Sequence, residues 1–247
     1  VNGMTSVIGS VIPITGGLAG DGGAFKETFT LDSDGVSTDR VVAVGLCSPG
    51  LKFAHGSFGG WEPFGPTRKV TRCAGNILYE LDGEPALDIY RRYLGEHAKG
   101  LPASGLLFPF SMLGEDHSAL GIIRTILGID EENGSLVLAG EIIPDGFLRL
   151  MHASTDKLVN GAESAAEAAA SMIQAPGESL AILVSCVGRK LVMGERVDEE
   201  VEAVGDVLGH HAVLTGFYSY GEISPFTPGA SCKLHNQTMT ITCLSEG

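Results

Sequence analysis

The spacing of apolar residues changes character near Pro85. Before it, short β-prone runs at residues 26–31, 40–47, 51–57, 69–74 and 77–81 are separated by turn-forming stretches, which predicts a largely antiparallel sheet. Residues 7–13 read as the end of a helix or strand. Residues 15–23 hold too many glycines for regular structure. Asp82-Gly83-Glu84-Pro85 closes this part, and Pro85 suits the first turn of a helix, where its missing N–H costs nothing. Leu87, Tyr90, Tyr93 and Leu94 then recur at helical spacing, with Gly95 placed to end the helix.

Beyond Pro85 the chain alternates. Residues 122–129 and 135–141 predict a hairpin around Asp130-Glu131-Glu132-Asn133-Gly134, and residues 147–153 a further strand. Residues 154–173 predict a helix with Leu158, Ala162, Ala165, Ala169 and Met172 on one face. Residues 180–187 read as a buried strand. Residues 198–208 read as a second helix, turning Val197, Val201, Val204 and Leu208 inwards and holding Asp198, Glu199 and Glu200 near its positive end. Segments 212–222 and 234–244 close the chain as strands. The pattern is α+β, with two subdomains (1–84 and 85–247) of largely antiparallel or mixed sheets flanked by helices.

Composition narrows the function classes. A net charge of −14 disfavours binding to phosphate backbones or anionic membranes, so neither nucleic acid nor membrane is expected as a partner. No apolar run nears the roughly 20 residues that span a bilayer. The opening Val1-Asn2-Gly3-Met4 has neither an initiator methionine nor the features of a signal peptide, which implies chain upstream of it. Five cysteines without a Cys-x-x-Cys pair read as buried thiols of a reducing, cytoplasmic compartment.

Four segments ask for more than packing. Residues 53–66 place His55 and Trp61 among glycines and prolines, which suits a shaped loop lining a small-molecule pocket or an ordinary loop with Trp61 over the core. Arg189 follows a buried strand and could hold a carboxylate, or be a surface cation paired with Glu195 or Asp198. On a continuous strand Tyr218, Tyr220 and Glu222 share one face, lining something polar or facing solvent. Residues 234–242 carry Asn236 and alternate threonines as a polar stripe beside His235, satisfied by protein or by ligand.

Enzyme templates are missing. There is no phosphate-binding Gly-x-x-x-x-Gly-Lys-Ser/Thr loop, no His-Glu-x-x-His and no Gly-x-Ser-x-Gly elbow. His210 and His211 would point opposite ways on a strand, and only proximity in space would make Cys186 and His235 a reactive pair. The expectation is a binding protein without a catalytic set.

The run from Phe217 to Ile223, followed by Leu234 to Thr240, resembles the end of the C-terminal domain of the FIST family, and Ser185-Cys186-Val187-Gly188-Arg189 matches an internal motif of that domain. Gly17-Leu18-Ala19-Gly20-Asp21, His55-Gly56, Gly65-Pro66 and Val70-Thr71 resemble the later part of the FIST N-terminal domain, whose first part is absent. The resemblance implies a small-ligand sensor of intracellular signal transduction, with an amino acid as ligand. The ligand is expected between the subdomains, lined by His55, Trp61, Arg189, Tyr218, Tyr220, Glu222, His235 and Asn236. Partners implied are a histidine kinase, a chemotaxis receptor or a cyclic-dinucleotide enzyme. No fixed cofactor is implied. The alternative is a haem-binding nitric-oxide sensor regulating a histidine kinase, with His55 or His235 on the iron.

Overall fold

A computed structural model describes residues 1–9, 11–24, 26–173, 177–225 and 229–246. In chain order the elements begin with α1 (Asn2–Ile8), β1 (Gly16–Gly17), β2 (Thr30–Asp32), β3 (Gly35–Ser37), β4 (Leu51–Phe58), β5 (Glu62–Ala74), β6 (Ile77–Leu81) and β7 (Glu84–Pro85). Next come α2 (Ala86–Leu94), β8 (Phe110–Leu113), β9 (Ala119–Arg124), β10 (Ile126–Asp130), β11 (Ser135–Leu138), β12 (Phe147–His152) and α3 (Thr155–Ser171). The remainder is β13 (Ser179–Cys186), α4 (Val187–Met193), α5 (Glu199–Leu208), β14 (Ala212–Ser219), β15 (Glu222–Ser224), β16 (Lys233–His235) and β17 (Met239–Glu246). The fold is α+β.

The chain packs as two units, one gathering residues 1–60, 155–234 and 238–247, the other residues 61–154 and 235–237. The strands just before Pro85 and the helix just after it therefore share the second unit. The first unit is built on a sheet in the order β14-β13-β17-β4. β13 and β14 run parallel through eight register pairs, while β17 is antiparallel to both β13 and β4. One face carries Ala54, Ala181, Leu183, Ile241 and Cys243 and buries them against Ala162, Ala165, Ala166 and Ala169 of α3 and Val204 of α5. Alanine on that helix face lets the backbones come close. A Cβ added at Gly56 of β4 would lie 1.9 Å from the Ala165 carbonyl oxygen, so glycine is required there.

In the second unit the strands follow the order β10-β11-β6-β5-β12-β8-β9, with β7 beside β6. Leu87, Ile89, Tyr90 and Leu94 of α2 pack on Leu78, Leu81, Leu136 and Leu148, as the helical spacing after Pro85 predicts. The Tyr90 hydroxyl donates to the Phe108 carbonyl at 2.8 Å, and burial pushes its pKa up.

Several expectations need correction. Residues 40–47 form no strand: Val41, Val44 and Leu46 are exposed, and β propensity without a neighbouring strand leaves the ladder unmade. Of 26–31 only the end is strand, in the β2–β3 hairpin. The expected arm at 122–129 is two strands, since β9 pairs with β8 and β10 with β11. Residues 53–66 are mostly β4 and β5 around a short turn, so His55 lies on a strand and not in a shaped loop. The residues after Cys186 form α4. Among the cysteines Cys186, Cys232 and Cys243 are buried, Cys73 is half-buried and Cys47 is exposed. Among the described residues no helix is long and apolar enough to cross a membrane.

Candidate functional site

The polar chemistry of the first unit gathers where the parallel strands β13 and β14 end, at Cys186 and Ser219, which lie opposite each other in register. In sheets with parallel strands, ligands are typically received beyond the carboxyl ends of those strands. β14 does not continue through Tyr220 to Glu222; the chain bends at Tyr220 and Gly221 and resumes as β15. The expected shared face of Tyr218, Tyr220 and Glu222 is therefore broken, and each side chain finds different company.

Glu222 is fully buried. Its Oε1 accepts from the Ser219 hydroxyl at 2.6 Å, and its Oε2 accepts from the Thr238 N–H at 3.1 Å and the Thr238 hydroxyl at 3.0 Å. Loss of water raises its pKa to about 7, although these donors and the more distant Arg189 guanidinium act the other way. Among the described residues no cationic side chain lies in ion-pair range of this carboxyl, whose close partners are neutral donors.

A glycine-rich strap pairs alongside it. Gly17 of β1 pairs with Glu222, the Leu18 N–H donates to the Gly221 carbonyl at 2.9 Å, and the Tyr220 N–H donates to the Leu18 carbonyl at 3.3 Å. The Tyr220 hydroxyl donates to Asp21 and accepts from the Gly23 N–H at 3.0 Å. A Cβ at Gly17 would come within 2.6 Å of Val184 Cγ1 and 3.0 Å of Ser219 Cβ, so only glycine lets the strap lie this close. The strap is thus regular for two residues, where the glycine content predicted none.

Arg189 leaves β13 on α4 but turns inward. It is no surface cation, and its partner is neither Glu195 nor Asp198. Its Nε and Nη2 donate to Glu200 Oε2 at 3.1 and 2.9 Å, Nη2 also donates to the Leu158 carbonyl at 2.8 Å, and Nη1 donates to the Gly59 carbonyl. Glu200 Oε1 accepts from the Ser185 hydroxyl at 2.9 Å and the Tyr218 hydroxyl at 2.8 Å. Lys190 Nζ sits 5.0 Å from the centre of the Tyr218 ring. This network holds Arg189 and Tyr218 together around Glu200, and the guanidinium donors are directed at protein acceptors.

The other predicted site residues are spread. His55 lies buried on β4, its ring tilted against Phe53 at 5.7 Å, and burial lowers its pKa towards the neutral imidazole. Among the described residues its Nδ1 has no hydrogen-bond partner. In the second unit the indole N–H of Trp61 donates to the Gln237 carbonyl at 2.8 Å, and the Gln237 side-chain amide donates to the Leu106 carbonyl and the Thr125 hydroxyl at 3.0 Å each. His235 and Asn236 are buried nearby in sequence. The continuous polar stripe expected over 234–242 is interrupted, because Gln237 takes a φ of 65° between β16 and β17. Beyond the break, Thr240 shares a 3.0 Å hydrogen bond with Ser57.

Sequence reasoning missed Glu200, Ser219 and Asp21. Glu200 had a signal: it lies four residues before Val204, on the inward stripe of α5, where an acidic residue needs a buried partner. A haem would need an imidazole facing room for the macrocycle. His55 and His235, the histidines expected on the iron, are both buried. Among the described residues no group of three His, Cys, Asp or Glu side chains is arranged to hold a metal ion.

Comparison with known proteins adds three findings. A family model described as the FIST N domain matches residues 1–84, and one described as the FIST C domain matches residues 86–225. The chain is 32% identical over 163 residues to an uncharacterized protein of Methanocaldococcus jannaschii, covering 60% of this chain and 31% of that protein. It is 28% identical over 225 residues to uncharacterized proteins of Mycobacterium bovis and Mycobacterium tuberculosis, covering 86% of this chain and 55% of each. It therefore spans from about a third to about half the length of these relatives. No solved structure matches it.

Proposed function

The chain belongs to the FIST family, whose domains are associated with sensing in signal transduction, and from that premise we propose that it binds a small ligand bearing an ammonium group, an amino acid being the simplest such molecule. The observation that carries this reading is Glu222: a buried carboxyl, held by neutral donors at the ends of two parallel strands, beside a strap regular over only two residues. An ammonium group brought to Glu222 adds a positive charge in direct contact with the carboxyl and favours the ionised carboxylate. The strap must lift to admit the ligand, so binding favours one of two strap arrangements, and that difference in affinity is what a sensor transmits. The module binds and does not catalyse; its output passes to a signalling protein such as a histidine kinase or a cyclic-dinucleotide enzyme.

The test is a thermal-shift screen of the common amino acids and their N-acetylated forms against the wild type and Glu222→Gln. The reading predicts stabilisation by at least one free amino acid, lost on acetylation and lost in the variant. Stabilisation that survives acetylation, or no response to any amino acid, contradicts it. A Soret band gained with haemin would redirect the reading to a haem sensor.

A further inference from the structure

β14 ends the order β14-β13-β17-β4, and among the described residues no strand pairs with its outer edge. Open edges are usually guarded by charge, proline, a bulge or shortness. β14 has none of these: Ala-Val-Leu-Thr-Gly-Phe-Tyr-Ser is uncharged, and its eight-residue register with β13 is unbroken. Val213 and Phe217 are 67% and 47% exposed on the face away from α3 and α5.

Two depressions flank the start of this strand, one on each face of the sheet. On the helix side a space of about 600 Å³ is lined by Val201, Gly205 and Leu214 together with Glu202 and Asp206. On the opposite side a space of about 550 Å³ is lined by Leu180, Val213 and Leu244 together with Glu178 and Glu246. Each therefore combines apolar side chains with two carboxylates, and His210 also lines the helix-side one.

We propose that the β14 edge receives an extended segment of a partner protein as an added strand, and that this segment is β-branched and basic. Backbone hydrogen bonds to β14 supply the attachment, while alternate side chains of the added strand stand beside Val213 on one face and toward the helix-side depression on the other. Glu202 and Asp206 on the helix side, with Glu178 just before β13 on the strand next to β14, select lysine or arginine, in keeping with the net charge of −14. A second copy of this chain is the poorer occupant, because pairing two β14 edges would bring like carboxylates together. The surface meets the Glu222 cluster only at its far end, where Ser219 closes β14, and the residues varied in its test (Val213, Glu202 and Asp206) lie outside that cluster, so the test stands apart from that of ligand binding.

The probe is a ten-residue peptide of valine, threonine and lysine with lysines on both strand faces, titrated while the backbone amides are followed by NMR. Saturable shifts are expected along 212–219, weakening at high salt. Binding should fall at least tenfold in Val213→Lys and in the double variant Glu202→Lys/Asp206→Lys, with circular dichroism and melting checked to remain as in the wild type. A peptide N-methylated at alternate residues, or one with glutamate for lysine, should not bind. Equal binding of either control peptide, no shift at β14, unchanged affinity in both variants, or dimers joined through β14 in sedimentation each overturn the proposal.

Discussion

Arg189 and Glu200 form an ion pair with no solvent exposure on either side chain, Nη2 standing 2.9 Å from Oε2. The pair ties α4 to α5, and the remaining Arg189 donors reach carbonyls of Gly59 and Leu158. Buried pairs stabilise little relative to a well-packed apolar replacement, but removing one partner strands the other charge.

Arg189→Met should therefore destabilise the protein by about 3–5 kcal/mol in urea unfolding, by leaving Glu200 buried without its cation. Arg189→Lys should not restore stability, because an ammonium cannot reproduce the planar donor set that reaches Glu200 and both carbonyls. The double variant Arg189→Met/Glu200→Leu should recover at least half of the loss. If Arg189→Met unfolds at the wild-type midpoint, the network does not hold the fold.

Glu222 makes stability depend on pH. Its carboxyl titrates near 7 in the folded protein against an ordinary 4.5, so the native state keeps a proton that the unfolded chain has released between those values. Stability from this group is complete below pH 4.5, declines as pH rises to about 7 and is flat beyond, a loss of about 3 kcal/mol. Glu222→Gln should remove that decline, so the variant gains on the wild type as pH rises. Parallel pH–stability curves for the two proteins would show that the carboxyl is not held this way.

Gly56→Ala should cost about 3 kcal/mol or more, because the new methyl must displace the α3 backbone rather than a side chain. Chemical denaturation measures it. A loss below 1 kcal/mol would mean that α3 moves off β4 freely.

Gly17→Val places a side chain against Val184 and Ser219 and should lift the strap. Hydrogen exchange at the Leu18 amide, which donates to Gly221, should quicken at least tenfold while amides in β13 stay protected. Unchanged exchange at Leu18 would mean that the strap is held by something other than close approach.

The helices were legible because their apolar residues repeat at helical spacing: α2, α3 and α5 lie where Leu87, Leu158 and Val204 predict, although on α5 the expected inward Val201 is 40% exposed and Glu200 is buried in its stead. Strands with both flanks paired, such as β6 and β13, were legible for a similar reason. What failed was alternation read across a bend. Residues 217–222 and 234–242 each look like one strand, but Gly221 and Gln237 turn the chain, and only through those turns do Glu222 and Thr238 meet. Arg189 was marked as chemically special, yet the acid that claims it lies 11 residues away on another helix. Sequence gives the charge; the packing of α4 against its neighbours decides where it points.

The most direct test of the account is a ¹³C NMR titration of the Glu222 side-chain carboxyl, in the free protein and with whichever amino acid stabilises it most. The account predicts a free-state pKa near 7 that falls by one unit or more when the ammonium group arrives. A free-state value in the ordinary carboxylate range, or one that the bound amino acid leaves unmoved, would contradict the claim that Glu222 reads the ligand.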